Sequence, residues 1–387
     1  MRISLYTDEG ESLIIGWNLI DINTKVHSGT LNLIQRWLIA LDKFDDLHHH
    51  ICYASPWFYK ELSRKGSIDS MKCNRVGTIN ARLRVQRELF FLLNGKRVRS
   101  DIDVLVSLHA PPFAYNGPAI SIVLDATPHA CAGEFSSSSQ AIEKMIERRC
   151  QKSVGWITIS EFTKKEIIRY RKYDPSRIQV VGVSVDSGTK RSVSFEQYCG
   201  KFRIDRPYVF YCAVISPRKN HIRFIDAFHR AFPNREMILV LAGPAGWQCA
   251  PIMQKIELAE AEGFVRYLGA VDDETRNAFY DGACFVAYPS CYEGFGIPVI
   301  EGLRHKKAVL TSSQSVMAEI GGDAVLLADP LDVNDMAAKC KQLFNDAQLR
   351  KDLVSKSGPV LKNFSDEKIG RNLAEALSAF GRYINSS

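Results

Sequence analysis

Glu293 and Glu301, with seven residues between them, bracket the string Tyr288-Pro-Ser-Cys-Tyr-Glu-Gly-Phe-Gly-Ile-Pro-Val-Ile-Glu301. An apolar run ends at Tyr288, two glycines follow, and Pro298 suits the first turn of a helix. Glu293 therefore belongs to a loop and Glu301 to the helix, one turn in. The amides of Gly294, Phe295 and Gly296 then lie at a helix N-terminus, where N–H groups and the dipole attract phosphate. Glycine lets the backbone approach such a ligand with no side chain between. Two carboxylates beside a phosphate repel it unless they serve hydroxyls, and a ribose and a hexose supply hydroxyls. The same spacing also suits a surface turn before an ordinary helix whose acidic residue favours the dipole.

A second cluster bears on that choice. Val214-Ile-Ser-Pro-Arg-Lys-Asn220 lies between an apolar run and a segment of helical period. Arg218 and Lys219 at a helix N-terminus oppose its dipole and are useful mainly when an anion sits there. Alone, the pair also reads as a solvated loop. Together with the two glutamates it describes a clamp for a diphosphate, because both clusters fall at the carboxyl ends of strands.

The elements that position them alternate short β-branched runs with helical segments, the pattern of parallel strands joined by crossover helices. In the N-terminal half, strands are expected at residues 2–6, 50–53, 104–108, 119–124 and 155–159, and helices at 31–41, 81–93 and 163–170. The stretch 10–23 is apolar and has no place in this scheme. A polar, aliphatic-poor stretch after Asp186 reads as a linker. A second unit follows, with strands expected at 208–214, 237–242, 283–288 and 308–311 and a helix at 220–232 whose Ile222, Ile225 and Phe228 form one stripe. The expected class is α/β, two Rossmann-like doubly wound domains facing a cleft. Residues 1–190 form the N-terminal domain, 191–206 the linker, 207–368 the C-terminal domain, and 369–387 a helix crossing back to the first.

Composition narrows the function classes. The 387 residues are 46% hydrophobic and 24% charged, ordinary for a globular protein of two domains. The formal charge of +7 is concentrated in the first half, where 26 Lys and Arg face 20 Asp and Glu up to residue 190. That excess fits a face meeting something anionic and is too mild to argue for nucleic acid. No stretch is long and apolar enough to span a membrane and the opening residues lack a secretory plan, so a cytoplasmic location is expected. The ten cysteines have no C-x-x-C pair and read as reduced thiols.

The strings YCAVISPRKNHIRFIDAF, LAGPAGW, VRYLGAVDDETRNAFYDGACFVAYPSCYEGFGIPVIE and SVMAEIGGDAVLLADP resemble the donor-binding domain of family 4 glycosyltransferases, which have the GT-B fold and retain anomeric configuration. EGFG-x-P-x-x-E is the most specific mark. The likeness is strong over residues 208–330 and weaker before them, through Ile157-Thr-Ile-Ser-Glu-Phe-Thr-Lys164 and Ile122-Val-Leu-Asp-Ala-Thr-Pro128. It implies that Glu293 contacts the transferred sugar, with the Gly294–Gly296 amides on sugar and diphosphate, and that Glu301 holds the ribose hydroxyls. Arg218 and Lys219 would neutralise the diphosphate, Gly243 would end a strand close to the nucleotide, and no metal or other cofactor would be required. The likeness also implies a glycine-bearing turn near the diphosphate, for which Ser28, Gly29 and Thr30 are the counterpart.

Some positions depart from the family. Its Gly-Arg strand end reads Ala213-Val214, and Leu124 stands where most members have a histidine that reaches the sugar. His129 and His109 are the candidates to replace that histidine. Asp125, at a strand end, is the expected acceptor contact, able to orient an incoming hydroxyl. Asp101-Ile-Asp103 precedes a strand and so lies on the wrong side of a parallel sheet for the cleft; it, Asp272-Asp273 and His48-His49-His50 read as surface. Ser136–Ser139 reads as a mobile loop.

The expected function is transfer of a hexose, GDP-mannose being the preferred donor, to a hydroxyl of a glycan or lipid-linked acceptor in surface polysaccharide synthesis. The alternatives are a nucleotide-sugar hydrolase or epimerase on the same scaffold, or a catalytically silent partner subunit. Basic clusters at Arg82, Arg84, Arg87, Lys96, Arg97 and Arg99, and at Lys164, Lys165, Arg169, Arg171 and Lys172, suit either a solvated face or peripheral contact with the inner face of an anionic membrane.

Overall fold

The computed structural model describes residues 6–7, 10–20, 29–55, 58, 60, 71–75, 83–131, 133, 137–185 and 195–384. The chain forms two compact units, Met1–Ser184 with Phe364–Ser387, and Val185–Asn363.

The first unit opens with a short antiparallel pair, β1 (Tyr6–Thr7) and β2 (Gly10–Glu11). Its seven-stranded sheet contains β3 (Ile14–Leu19), β4 (His49–Ala54), β5 (Lys72–Arg75), β6 (Val104–Leu108), β7 (Ala119–Val123), β8 (Gly155–Thr158) and β9 (Ile178–Val180). All pair in parallel, in the order β5-β4-β3-β6-β7-β8-β9. The stretch left unplaced by the sequence thus contains an inner strand, β3, paired with β4 on one side and β6 on the other. Ile15, Trp17 and Leu19 are buried, and so is Asn18 on the opposite side. A strand covered on both faces shows no alternation, so its sequence carries no strand signal; of the expected strand at 2–6, residues 2–5 lie outside the described residues and Tyr6 belongs to β1. Gly16 lets Ile102 pack directly on the strand, since a Cβ there would lie 2.6 Å from Ile102 Cδ1.

Helices α1 (Gly29–Phe44), α2 (Leu83–Asp101), α3 (Thr127–Ala130), α4 (Ser137–Cys150) and α5 (Glu161–Arg171) accompany this sheet. Ser137, Ser138 and Ser139 form the first turn of α4, which corrects the loop expected there; Ser136 lies outside the described residues. The final helix, Asp366–Ile384, packs on α1 so closely that a Cβ on Gly370 would lie 2.9 Å from the Ala40 carbonyl oxygen. The histidine run is not surface. The period of two at the start of β4 turns His48 and His50 inward and leaves His49 exposed. The Leu13 amide donates to His48 Nδ1 (3.3 Å), and His48 Nε2 lies 2.8 Å from the Ser378 hydroxyl of the final helix. His50 Nδ1 accepts from the Trp17 indole (3.1 Å) and its Nε2 reaches Asp45 (3.0 Å).

The second unit repeats the plan. Strands β10 (Tyr208–Cys212), β11 (Ile238–Ala242), β12 (Val265–Tyr267), β13 (Phe285–Tyr288), β14 (Val309–Ser312) and β15 (Val325–Ala328) pair in parallel in the order β12-β11-β10-β13-β14-β15. Its helices are α6 (Glu196–Phe202), α7 (His221–Ala231), α8 (Ala250–Ala261), α9 (Asp273–Gly282), α10 (Ile297–Arg304), α11 (Met317–Gly321), α12 (Val333–Asn345), α13 (Ala347–Ser355) and α14 (Ser357–Lys362). Tyr208, Val209, Phe210 and Tyr211 of β10 are all buried, as a strand with helices on both faces must be. Strand order reverses between β10 and β13, the switch point at which doubly wound sheets bind ligands beyond their carboxyl ends.

Candidate active site

The loops after β10 and β13 meet at that switch point. Pro217–Lys219 forms one 3-10 turn, and Asn220 closes it in the left-handed region at φ 62°. The Asn220 side-chain amide donates to the carbonyls of Pro289 (3.1 Å) and Pro330 (2.6 Å), tying the loops after β10, β13 and β15 together. The Ser290 hydroxyl lies 2.9 Å from the Arg218 carbonyl, which also accepts from the Cys291 amide (2.8 Å).

This framework brings Arg218, Lys219 and Glu293 into contact. Arg218 Nη1 donates to Glu293 Oε2 at 2.8 Å, and Lys219 Nζ donates to Glu293 Oε1. The Tyr288 hydroxyl (3.1 Å) and Ser290 hydroxyl (2.7 Å) also face Oε1. Glu293 is 7% exposed and Lys219 equally so. Burial alone would push the carboxyl up; Lys219 and then Arg218 outweigh it and hold the group at about 2, so it is ionised at neutral pH. Ser315, at φ 62°, both accepts from the Glu293 amide and donates to its carbonyl, each at 2.9 Å.

Gly296 caps α10 at φ 108°, and a Cβ there would lie 2.8 Å from Met317 Sδ, so only glycine brings the chain into the helix at this point. Phe295 is buried beside it. Gly243 stands at φ 141° with its amide on the Gly269 carbonyl (2.8 Å), and a Cβ would collide with the Ala213 carbonyl. The Tyr267 hydroxyl donates to the Gly243 carbonyl (2.8 Å), joining the ends of β11 and β12.

Glu301 is held by a different set. The Tyr280 hydroxyl donates to its Oε2 at 2.9 Å, and Arg276 Nη2 lies 3.5 Å from Oε1. Tyr288 and Ser290 stand in the same segment as Glu293 without a role legible from type and spacing, while Tyr280, Arg276 and Ser315 are remote in sequence and are brought to the two glutamates only by the fold.

In the first unit, Asp125 follows β7 and its Oδ1 accepts from the Thr127 amide at 3.0 Å, at the start of α3. His129 in α3 pairs with Glu147 at 3.3 Å and lies 5.7 Å from the Tyr170 ring. His109 ends β6 at φ 60° and is exposed. Ser28 lies outside the described residues, while Gly29 and Thr30 open α1. Of the basic residues, Arg82 and the side chains of Arg84, Arg87 and Arg97 lie outside the described residues. Arg171 is buried against Glu143 at 2.9 Å, which removes it from any surface patch. No helix among the described residues is long and apolar enough to cross a membrane.

The structure superposes on HepE from Anabaena, solved in complex with UDP and glucose, with a TM-score of 0.69 at 16% identity, covering 95% of this chain and 99% of that one. It superposes on WaaG, a glycosyltransferase involved in lipopolysaccharide biosynthesis, with a TM-score of 0.68 at 14% identity, covering 93% and 98%. The fold is GT-B. Residues 197–357, nearly the whole second unit, match the family described as Glycosyl transferases group 1. The chain is 31% identical over 232 residues to O-antigen chain mannosyltransferase B of Escherichia coli. That match covers 58% of this chain and spans 61% of the relative's length. The chain is also 26% identical over 243 residues to the serotype-specific mannosyltransferase WbdA of Escherichia coli, covering 59% of this chain and 29% of that one.

Proposed function

We propose that this GT-B protein is a retaining glycosyltransferase of family 4 that moves mannose from GDP-mannose to a hydroxyl of a glycan or lipid-linked oligosaccharide during surface polysaccharide synthesis. The observation that carries the reading is the pairing of buried Glu293 with buried Lys219 and with the partly exposed Arg218 at the switch point of the second unit. Two cations converging where the topology directs a ligand suit a diphosphate, and a carboxylate between them suits the hydroxyls of the attached sugar. The mannosyl preference rests on the names of the relatives.

In this reading Arg218 and Lys219 stabilise the charge that grows on the departing diphosphate, the task a metal ion performs elsewhere, so none is needed. The Gly294–Gly296 segment and Gly243 bring backbone close to the donor, and Glu301 accepts from the ribose. The departing phosphate oxygen takes the proton of the incoming hydroxyl on the face it leaves, so the anomeric configuration is kept. The enzyme's share is positioning and charge stabilisation. Acceptor contact is assigned to Asp125 and His129 in the first unit. Exposed Leu92 and Leu93 beside exposed Lys96 and Arg99 on α2 are the proposed peripheral contact with anionic lipid.

Thermal unfolding in the presence of GDP, UDP, ADP or dTDP, with a chelator throughout, tests the donor reading. GDP alone should raise Tm; at a hundredfold excess over Kd, mass action adds about 2.7 kcal/mol. A chain that none of the four stabilises refutes it.

A further inference from the structure

Glu301 is not a free carboxylate waiting at a helix. It is bracketed on both oxygens by residues of α9, Tyr280 through its hydroxyl at 2.9 Å and Arg276 through its guanidinium at 3.5 Å. Each bracketing residue is fixed in turn. Arg276 pairs with Asp273 one turn earlier at 2.9 Å, and the Asp272 side chain accepts from the Thr275 amide (2.8 Å) at the start of the same helix. Tyr280 is fully buried, stacks on the His305 ring at 5.1 Å and 16°, and His305 Nδ1 lies 2.8 Å from Asp281. The Tyr280 ring also packs edge-on against Phe210 of β10 at 4.9 Å, so the core itself fixes the hydroxyl that faces Glu301. This chain of contacts ends on one carboxylate whose side chain stays 19% exposed.

A carboxylate oxygen accepts two hydrogen bonds. Tyr280 takes one site on Oε2 by a hydrogen bond, while Arg276 opposes Oε1 as an ion pair at 3.5 Å, so each oxygen keeps an acceptor site, the pattern that a vicinal diol satisfies with two parallel donors. We propose that Arg276 and Tyr280 are positioning residues that lock the Glu301 carboxylate in the orientation able to receive both ribose hydroxyls of the donor. The inference rests on the donor reading above and adds to it two residues and a requirement for a ribose. Neither residue touches the reacting atoms, so their loss should raise the KM for donor while leaving kcat nearly unchanged.

The test compares calorimetric binding of GDP and 2′,3′-dideoxy-GDP to the wild type, Arg276→Gln and Tyr280→Phe. The second variant keeps the buried ring and its stacking, so it folds even where the first is compromised. Each variant should weaken GDP about tenfold and leave dideoxy-GDP unchanged, because the wild-type advantage depends on the hydroxyls. An equal loss for both nucleotides marks a general structural role and overturns the proposal, and so does an unchanged affinity for GDP. If the wild type binds neither GDP, UDP nor ADP, the donor reading falls and this inference with it. A wild type that binds GDP while the variants show no selective loss sinks the inference alone.

Discussion

Replacing Glu293 by Gln removes the one negative charge held between Arg218 and Lys219. The carboxyl lies at about 2 against an ordinary value of 4.5. At about 1.4 kcal/mol per pKa unit, that depression amounts to roughly 3 kcal/mol. Removing one member of a buried pair costs about 3–5 kcal/mol, which agrees. The sign follows from the direction of the shift. A carboxyl depressed on folding stabilises above its unfolded value of 4.5, and the contribution is lost as pH falls toward 2. At pH 7, urea unfolding of Glu293→Gln should therefore show the second unit weaker by about 3 kcal/mol. The gap should narrow in acid. Nucleotide binding should move the opposite way. The two cations, no longer neutralised, gain an anion when diphosphate enters, so GDP should bind the variant more tightly, on the order of tenfold, while sugar transfer falls a hundredfold or more. A variant as stable as the wild type that also binds GDP less well would refute the reasoning, because neither partner exchange nor charge neutralisation would then operate at this site.

Two further outcomes follow from the geometry. Gly296→Ala should lower stability by about 1–3 kcal/mol by thermal unfolding, since both its φ of 108° and the 2.8 Å approach to Met317 exclude a Cβ, and the displaced helix start should weaken GDP binding. His48 is pushed down by burial, above all other influences on it, and accepts from the Leu13 amide as a neutral ring. Its contribution is present above the unfolded value of 6.5 and lost as pH falls below it, so the first unit should weaken in mild acid. His48→Gln should flatten that dependence in denaturant titrations from pH 7 to 5.

Four of the six strands of the second sheet were legible because they are short, apolar and separated by helices of clear period, whereas the two edge strands, Val265–Tyr267 and Val325–Ala328, are brief and do not stand out from their loops. The first sheet was less legible. Ile14–Leu19 is apolar on both sides and resembles neither an alternating strand nor a helix, and three adjacent histidines hide the fact that two of them serve as acceptors inside the fold. At the site, residue type and spacing drew attention to Glu293, Glu301, Arg218 and Lys219. What surrounds the glutamates was illegible, since Tyr280 is 21 positions from Glu301 and Ser315 is 22 from Glu293. Such partners are set by strand order, which turns remote loops into neighbours. A serine in a loop or a tyrosine on a helix carries no local mark of the carboxylate it will meet.

The amide of Asn220 fastens three separate turns, and this constrains any redesign of the loop that bears Glu293. Transplanting the acid-bearing segment from a relative, without the asparagine that anchors it and the carbonyls it grips, would import the right letters onto a misaligned mount. The three turns and the asparagine that joins them form one unit, which redesign must exchange as a single block.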